Sequence, residues 1–440
     1  MMSEDFSNRL NPILSGIVRE FGTPFHIYDE VGIRKTVSKF PGLPWQWYGG
    51  PGDDKGFKNF FAVKACPNPR ILKLMLDFCN PIGAGKMSMD SFGFDCSSIA
   101  ELEMVRSIGA RGEQIMFTSN NTSAEELKAA LANGGCILNL DDVTLIDKVE
   151  DFPALICFRY NPGNTRQGNS IIGNPEEAKY GMSYGQLIEA YRLAQKFGAR
   201  RFGLHTMICS NQLDYKYIVE TTKMLLNVAE RIKSTLGITM EFINIGGGVG
   251  IPYRPEQEAF NFSEFASGVG MAFSDFQKRN KYSPRLFMEC GRCITGPHGV
   301  LVTTVINRLS KYREYVGVDA CMSSLMRPAL YDAYHHITIL NSAGRELEKV
   351  DVVGSLCENN DKFAKDRELP KVEEGDIMII HDTGAHGYAM GFNYNGRLRP
   401  KELLLCANGD VKLIRRAETI DDYFATLRFP EHIELKSSKK

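Results

Sequence analysis

Short apolar runs alternate with amphipathic stretches through the first two thirds of the chain. The runs are rich in β-branched and aromatic residues, which favour strands, and the stretches between them have the spacing of apolar residues expected for helices. Eight predicted strands lie at 57–63, 91–95, 114–117, 136–140, 154–160, 201–208, 240–245 and 285–290. Ser123 and Glu126 form a capping box that marks the start of one predicted helix.

This alternation predicts a parallel sheet with helices on its outside. Eight strands is the number in a closed (β/α)8 barrel, although an open doubly wound sheet is compatible with the strand count alone. Candidate functional residues end or follow six of the strands, namely Lys64, Asp95, Arg159, His205, Gly246–Gly248 and Glu289. Strand ends converge on one mouth in a barrel but spread along an edge in an open sheet, so this placement favours the barrel.

After about residue 295 the pattern changes to strands and turns with few long helices. We therefore predict a second, mainly β domain, whose last two strands are joined as a hairpin at Asn408–Gly409. The early run at 23–29 is a further strand, too near the start of the chain to belong to the barrel. The expected organisation is an N-terminal segment at 1–35 that joins the β domain, a barrel at 36–292 and the β domain at 293–440.

Composition narrows the class of function. The 52 basic and 53 acidic residues give a net charge of -1, which argues against nucleic-acid and anionic membrane partners. No apolar run is long enough to span a membrane, and the first residues lack the features of a secretory signal. The eleven cysteines have neither the spacing of a disulfide scaffold nor that of a zinc site. We expect reduced thiols, no metal and a cytoplasmic enzyme.

Three motifs carry residues with catalytic or binding chemistry, and each also has an ordinary structural interpretation. Backbone N–H groups of Gly246–Gly248 can surround a phosphate, or the glycines can make a tight turn. Glu289 and Arg292 suit either a pocket or a salt bridge at the barrel rim. Lys64 can form a Schiff base or reach solvent at the end of its strand. The glycine run is a poor match for a dinucleotide-binding fingerprint. That fingerprint opens the first βα unit and is followed by an acidic partner, whereas this run begins only at Gly246.

In their order along the chain, the motifs resemble the diaminopimelate decarboxylase branch of the pyridoxal-phosphate decarboxylases. They are FAVKAC, FDCSSIAEL, KYGM, INIGGGVGIPY, ECGR, LMRPALYDAYHHI, GSLCENND and HDTGAHGYAM, within a likeness that runs from about residue 23 to 405. The resemblance implies the alanine racemase-like, fold-type III architecture, in which a barrel binds pyridoxal phosphate (PLP) beside a C-terminal β domain. It also implies a homodimer with shared active sites that converts meso-diaminopimelate to L-lysine and carbon dioxide, the last step of lysine biosynthesis.

The resemblance further implies a role for each candidate residue. Lys64 would hold PLP as a Schiff base, and Glu289 would keep its pyridine nitrogen protonated. The residues expected around the phosphate are Ser210, Gly246, Gly247, Gly248, Gly291 and Arg292. Those expected elsewhere at the cofactor are Asp95, Arg159, His205 and His386. Those expected at the substrate are Arg292, Arg327, Tyr331, Glu358 and His386, with Cys357 of the second subunit as proton donor.

Two positions depart from the family pattern. Met207 replaces a histidine that stacks on the cofactor ring, a role that a thioether can also fill. His386 replaces a tyrosine, and its charge is expected to vary with pH near neutrality. A decarboxylase of ornithine, a D-amino acid or carboxynorspermidine is therefore the first alternative. A regulator derived from a decarboxylase is the second, although retention of Lys64 and of the glycine run argues against it.

Overall fold

The computed structural model describes residues 1–39, 56–79, 91–169 and 171–429. Strand β1 (Phe25–Asp29) comes first, and a closed barrel of eight parallel strands follows it. The barrel strands are β2 (Phe57–Ala62), β3 (Phe92–Cys96), β4 (Ile115–Phe117), β5 (Ile137–Leu140), β6 (Leu155–Arg159), β7 (Arg201–His205), β8 (Phe242–Asn244) and β9 (Arg285–Met288). The barrel closes where β2 pairs with β9, with Phe57 opposite Leu286. The predicted (β/α)8 architecture is confirmed.

Helices cover the outside of the barrel and extend beyond it. In chain order they are α1 (Glu4–Phe21), α2 (Glu30–Lys39), α3 (Pro69–Cys79), α4 (Ile99–Ser107), α5 (Ala124–Leu131), α6 (Tyr184–Lys196), α7 (Tyr215–Leu236), α8 (Phe262–Asn280), α9 (Arg292–Thr295), α10 (Arg327–Tyr331) and α11 (Ile420–Phe424). The capping box of Ser123 and Glu126 opens α5 as predicted. Among these described helices, none is long and apolar enough to cross a membrane.

Apolar side chains fill the interior of the barrel away from its mouth. Phe242 and Phe287 stack with their ring centroids 4.1 Å apart, and Phe60 lies 5.2 Å from Phe287. Met116, Ile137, Leu155 and Cys157 complete this cluster. Because the cluster is fully packed, polar chemistry is confined to the carboxyl ends of the strands.

The second sheet is built mainly from the C-terminal third of the chain. Its further strands are β10 (Gly299–Ser310), β11 (Glu314–Val318), β12 (Ile337–Ile339), β13 (Leu347–Val353), β14 (Lys362–Pro370), β15 (Ile377–Ile380), β16 (Lys401–Leu405) and β17 (Val411–Arg415). β1 lies inside this sheet, antiparallel to β10 and parallel to β16. β16 and β17 form the predicted hairpin, with Gly409 at a φ of 89° in its turn. The expectation that the run at 23–29 lies outside the barrel is therefore confirmed.

Helix α1 is an element that the sequence analysis did not predict. Its buried residues Phe6, Leu10, Leu14 and Ile17 follow the helical repeat, and Ser3 caps its first turn. These side chains pack against β1, β10, β15 and β16. The spacing of these four apolar residues is the sequence signal for this helix.

Replacing Gly203 by alanine is expected to destabilise the barrel. A Cβ at Gly203 would lie 2.1 Å from the Phe242 ring, and the stack on Phe287 leaves that ring no room to move. We expect a loss of about 1–3 kcal/mol in the free energy of unfolding, measured by urea denaturation. Gly185→Ala, in the first turn of α6 with open space around the new Cβ, is the matched control and should not destabilise. Equal stability of the two variants would contradict this packing.

Candidate active site

A cavity of about 260 Å³ opens at the carboxyl ends of the barrel strands, where residues of the β domain reach over the mouth. Most of the predicted site residues line it. They are Lys64, Arg159, Ser210, Gly247, Gly248, Glu289, Gly291, Arg292, Arg327, Tyr331 and His386. Residues that are far apart in sequence therefore meet at one place.

Lys64 reaches the cavity from a short 3-10 turn, Val63–Ala65, directly after β2. Val63 and Ala65 are buried, whereas the Lys64 side chain is exposed to the cavity. The backbone N–H of His386 donates to the Ala65 carbonyl oxygen over 2.8 Å. The β domain thus contacts the turn that presents the amine.

Glu289 lies at the floor of the cavity, one residue after β9, and is 8% exposed. Its carboxylate accepts hydrogen bonds from Asn244 Nδ2 at 2.8 Å and from His205 Nε2 at 3.2 Å. Burial alone would raise the pKa of this carboxyl, but His205, Lys64 and Arg159 together hold that pKa below its usual value. Glu289 is therefore ionised.

Asp95 is a second buried carboxyl group close to the first, and it does not line the cavity in the described part of the chain. Burial, followed by the charge of Glu289, raises the pKa of Asp95 well above its usual value. Two neighbouring buried carboxylates cannot both ionise at low cost, so Asp95 is the protonated member.

Burial lowers the pKa of His205, so its imidazole is neutral. Donation to Glu289 places the imidazole proton on Nε2, and Nδ1 then has no hydrogen-bond partner among the described residues. Like Asp95, His205 lies beneath the cavity and acts through its contact with Glu289.

The glycine run after β8 brings backbone close to several groups at once. Gly246 and Gly248 have φ values of 71° and 97°, which favour glycine. A Cβ on Gly247 would lie 2.5 Å from the Glu289 carbonyl oxygen, so side chains are excluded there. The Gly247 N–H donates to the Met207 thioether at 3.3 Å, a weak acceptor that an anion would readily replace. This turn can hold a phosphate.

Two arginines extend the cavity from the glycine turn towards the β domain. Arg292 donates to Tyr253 Oη at 2.8 Å and to Ser210 Oγ at 3.3 Å. Arg327 lies over the Tyr253 ring at 4.4 Å and donates from Nη1 to His335 Nε2 at 2.8 Å. Among the described lining residues, Lys64, Arg159, Arg292 and Arg327 face the single carboxylate of Glu289. The cavity therefore suits a ligand with several negative charges.

His386 differs from the expectation drawn from the sequence. Burial, then the charges of Arg292, Arg327 and Lys64, lower the pKa of its imidazole well below the usual value. The expectation that its charge varies near neutral pH is therefore wrong, because three neighbouring cations oppose a fourth. His386 is a neutral side chain with backbone at a φ of 56°.

Asp95, His205 and Gly246 adjoin lining residues without lining the cavity themselves, whereas Cys357 and Glu358 lie away from it within the described chain. They lie in a loop of the β domain, where Cys357 is exposed and its N–H donates to Asn395 Oδ1 at 2.7 Å. Glu358 Oε1 accepts from the Asn360 N–H at 3.0 Å. Neither side chain is part of the lining of its own chain's site.

Several residues of the site were not singled out from the sequence. Asn244, two residues before the glycine run, supports Glu289, and Tyr253, five residues after it, supports both arginines. Asn120 and Tyr180 line the cavity as well. Asn244 and Tyr253 lie in the motif INIGGGVGIPY, so its full length, rather than its glycines alone, was the available signal.

Comparison with known proteins is consistent with this geometry. The sequence model for the pyridoxal binding domain of pyridoxal-dependent decarboxylases matches residues 54–296. The chain belongs to the pyridoxal-phosphate-dependent decarboxylases. The enzyme is a carboxy-lyase of the diaminopimelate and ornithine decarboxylase family, and PLP is its cofactor.

Three relatives illustrate the likeness. Protein TabA of Pseudomonas amygdali pv. tabaci is 45% identical, over 97% of this chain and 96% of its own. Diaminopimelate decarboxylase of Methanothermobacter thermautotrophicus is 33% identical, over 94% of each chain. The crystal structure of diaminopimelate decarboxylase from M. jannaschii in complex with L-lysine superposes with a TM-score of 0.82, at 28% identity over 95% of this chain and 94% of that one.

The residues around the cavity fit PLP in three respects. The amine of Lys64 reaches the cavity, as a covalent attachment requires. The Gly247 and Gly248 turn, Ser210 and Arg292 form an anion site made of backbone and side-chain donors. Glu289 supplies an ionised carboxylate at the floor, where a pyridine nitrogen needs a negative partner.

Isosteric amide substitution should distinguish the two buried carboxyl groups. Because Asp95 is protonated, Asp95→Asn keeps the charge of the site, and we expect kcat to fall by less than about tenfold. Because Glu289 is ionised, Glu289→Gln removes a charge, and we expect kcat to fall by about 100-fold or more. Steady-state kinetics on the two PLP-loaded variants measures this difference. A larger loss in Asp95→Asn would reverse the assignment of the proton.

Proposed function

We propose that this enzyme decarboxylates meso-diaminopimelate to L-lysine, with Lys64 as the residue that carries PLP. The observation that supports it most is the pairing of Arg292 and Arg327 at one cavity with Lys64. A substrate with two carboxylates needs two such cationic groups, and PLP needs the amine.

Each contact that the cofactor needs has a candidate in this chain. Gly247, Gly248, Ser210 and Arg292 bind the phosphate. Glu289 holds a proton on the pyridine nitrogen, while neutral His205 and Asn244 orient the carboxylate of Glu289. When bound, PLP supplies an electron sink for the electron pair released as carbon dioxide departs. Met207, at the cavity wall, packs on the cofactor ring with its thioether.

The substrate side is formed by Arg292, Arg327, Tyr331 and His386, and Arg292 also borders the phosphate site through its hydrogen bond to Ser210. The Arg327 guanidinium is fixed by His335, whose Nδ1 donates to the His381 carbonyl oxygen at 2.7 Å, which leaves Nε2 to accept. A guanidinium held in this way binds a carboxylate in one orientation. Neutral His386 offers a hydrogen bond without adding a fifth positive charge to the cavity.

We infer that the enzyme acts as a homodimer with shared sites. Cys357 and Glu358 are exposed or partly exposed and do not line the cavity of their own chain. If they serve as proton donor and ammonium-binding residue, a second copy must supply them. A cytoplasmic location stays a prediction from the sequence.

A decarboxylase of another diamino acid is the second candidate. TabA, more similar to this chain than the diaminopimelate decarboxylases named above, has a name that states no substrate. Met207 and His386 both line the cavity at positions where the sequence departs from the diaminopimelate pattern. Substrate choice is the property that these two side chains would alter.

Carbon dioxide release by the PLP-loaded enzyme tests the proposal. We expect release from meso-diaminopimelate and none from L-lysine, L-ornithine or D-lysine, because only a substrate with two carboxylates pairs with both Arg292 and Arg327. The LL isomer, which also has two carboxylates, shows whether the configuration of the α-carbon matters. Release from another member of the panel would move the function to the second candidate. No release from any of them, with PLP bound, would favour a regulator.

Complementation between two inactive variants tests the shared site. Lys64→Ala and Cys357→Ala homodimers should each have little activity. Mixing them under exchange conditions should restore about one quarter of the wild-type activity, because half of the dimers are mixed and each mixed dimer has one intact site. Mixing Lys64→Ala with Glu289→Gln, two changes at the same cavity, should restore none. Recovery in this control, or none in the test pair, would contradict shared sites.

A further inference from the structure

A buried carboxylate of the β domain, Glu402, lies behind the turn that presents Lys64. Glu402 belongs to β16 and is 2% exposed. Tyr28 of β1 donates its hydroxyl to Oε1 at 2.5 Å, and Asn68 Nδ2 donates to Oε2 at 2.9 Å. Arg415, opposite Glu402 on β17, donates from Nε to the same Oε2. Three donors satisfy this buried carboxylate and fix its position, and removing one of them would leave part of it unpaired.

The partners of Glu402 lead directly to the backbone next to Lys64. Arg415 Nη2 donates to the Pro67 carbonyl oxygen at 2.9 Å, and Asn68 follows Pro67 in the chain. Asn68 Oδ1 in turn accepts from the Arg70 N–H at 3.0 Å and starts α3. Three hydrogen bonds hold the segment 65–68 to the β domain. They join Ala65 to His386, Pro67 to Arg415 and Asn68 to Glu402.

The segment 65–68 has few other restraints of its own. Within it, the Cys66 N–H donates to the Val63 carbonyl oxygen and the Asn68 N–H to the Cys66 carbonyl oxygen, at 3.0 and 2.9 Å. These are single turn bonds rather than a strand ladder, and such bonds open readily without outside support. Of the outside supports, Glu402 is the group that both Asn68 and Arg415 share.

We propose that Glu402 is a positioning residue that fixes the 65–68 segment, and through it the amine of Lys64, against the cavity. The inference rests on the proposed role of Lys64. Glu402 is not among the described residues that line the cavity, so it acts on the reaction only through this backbone. Its carboxylate links β16 of the second sheet to the segment that follows barrel strand β2.

Glu402→Gln in the PLP-loaded enzyme tests the proposal, because the amide keeps the shape and loses the charge that Arg415 and Tyr28 satisfy. Peptides that span 63–72 should exchange backbone hydrogen about tenfold faster than in the wild type, measured by mass spectrometry. kcat should fall by about 10- to 100-fold, since a displaced amine is misoriented. KM should stay within about twofold, because Arg292 and Arg327 are untouched.

Glu348→Gln is the matched control. Glu348 is also a β-domain carboxylate, paired with Arg308 at 2.6 and 2.8 Å, and has no contact with the 65–68 segment. It should change neither the exchange of 63–72 nor kcat. Arg415→Lys, at a partly exposed position, is the second variant should Glu402→Gln fail to fold, and should accelerate the same exchange by losing the bond to Pro67.

Two outcomes would overturn the role of Glu402. One is unchanged exchange at 63–72 in both Glu402→Gln and Arg415→Lys. The other is faster exchange with unaltered kcat. Hydrogen exchange is read without substrate, so a wild-type enzyme that does not act on meso-diaminopimelate would refute the proposed substrate and leave the exchange result interpretable.

Discussion

Closure of the barrel over a packed apolar interior is the constraint on which the site depends. Phe60, Phe242 and Phe287 fill the space between the strands, so no polar group can be accommodated there. Parallel strands then place their last residues around one mouth. Asp95, Arg159, His205 and Glu289 converge because each is, or is next to, the last residue of such a strand. The fold itself sets which residues meet.

The β domain supplies part of the cavity lining that the barrel does not. It contributes Arg327 and His386 to the cavity and contacts the backbone around Lys64 from behind. The barrel supplies Lys64, Arg159 and Arg292 to the mouth, and the β domain adds Arg327. These cations favour the ionised form of Glu289, and together with burial they keep His386 neutral. The site is therefore electrostatically prepared for anionic ligands before any ligand arrives.

The sequence was sufficient to predict the barrel and most of the lining residues, because hydrophobic periodicity and strand ends are local signals. It was insufficient where the answer depends on packing in three dimensions. The neutral state of His386 comes from its burial and from cations more than 50 residues away in sequence, which together lower its pKa. The support of Arg292 by Tyr253 likewise requires the folded loop. Nothing in the sequence around Glu402 distinguishes it from other strand residues, because its hydrogen-bond partners Tyr28 and Asn68 are more than 300 residues away in the chain. Its third partner is Arg415 on the neighbouring strand. Cys357 lies away from the cavity of its own chain, and its role in the site of a second copy stays a prediction from the family resemblance.

Borohydride reduction of the PLP-loaded enzyme, followed by tryptic peptide mapping, tests most directly the claim that Lys64 is the residue held at this mouth. Reduction makes the attachment permanent and blocks cleavage at the modified lysine. The account predicts a phosphopyridoxyl group on the peptide 59–70, with Lys64 uncleaved inside it. A label on any other lysine, or none on this peptide, would contradict it.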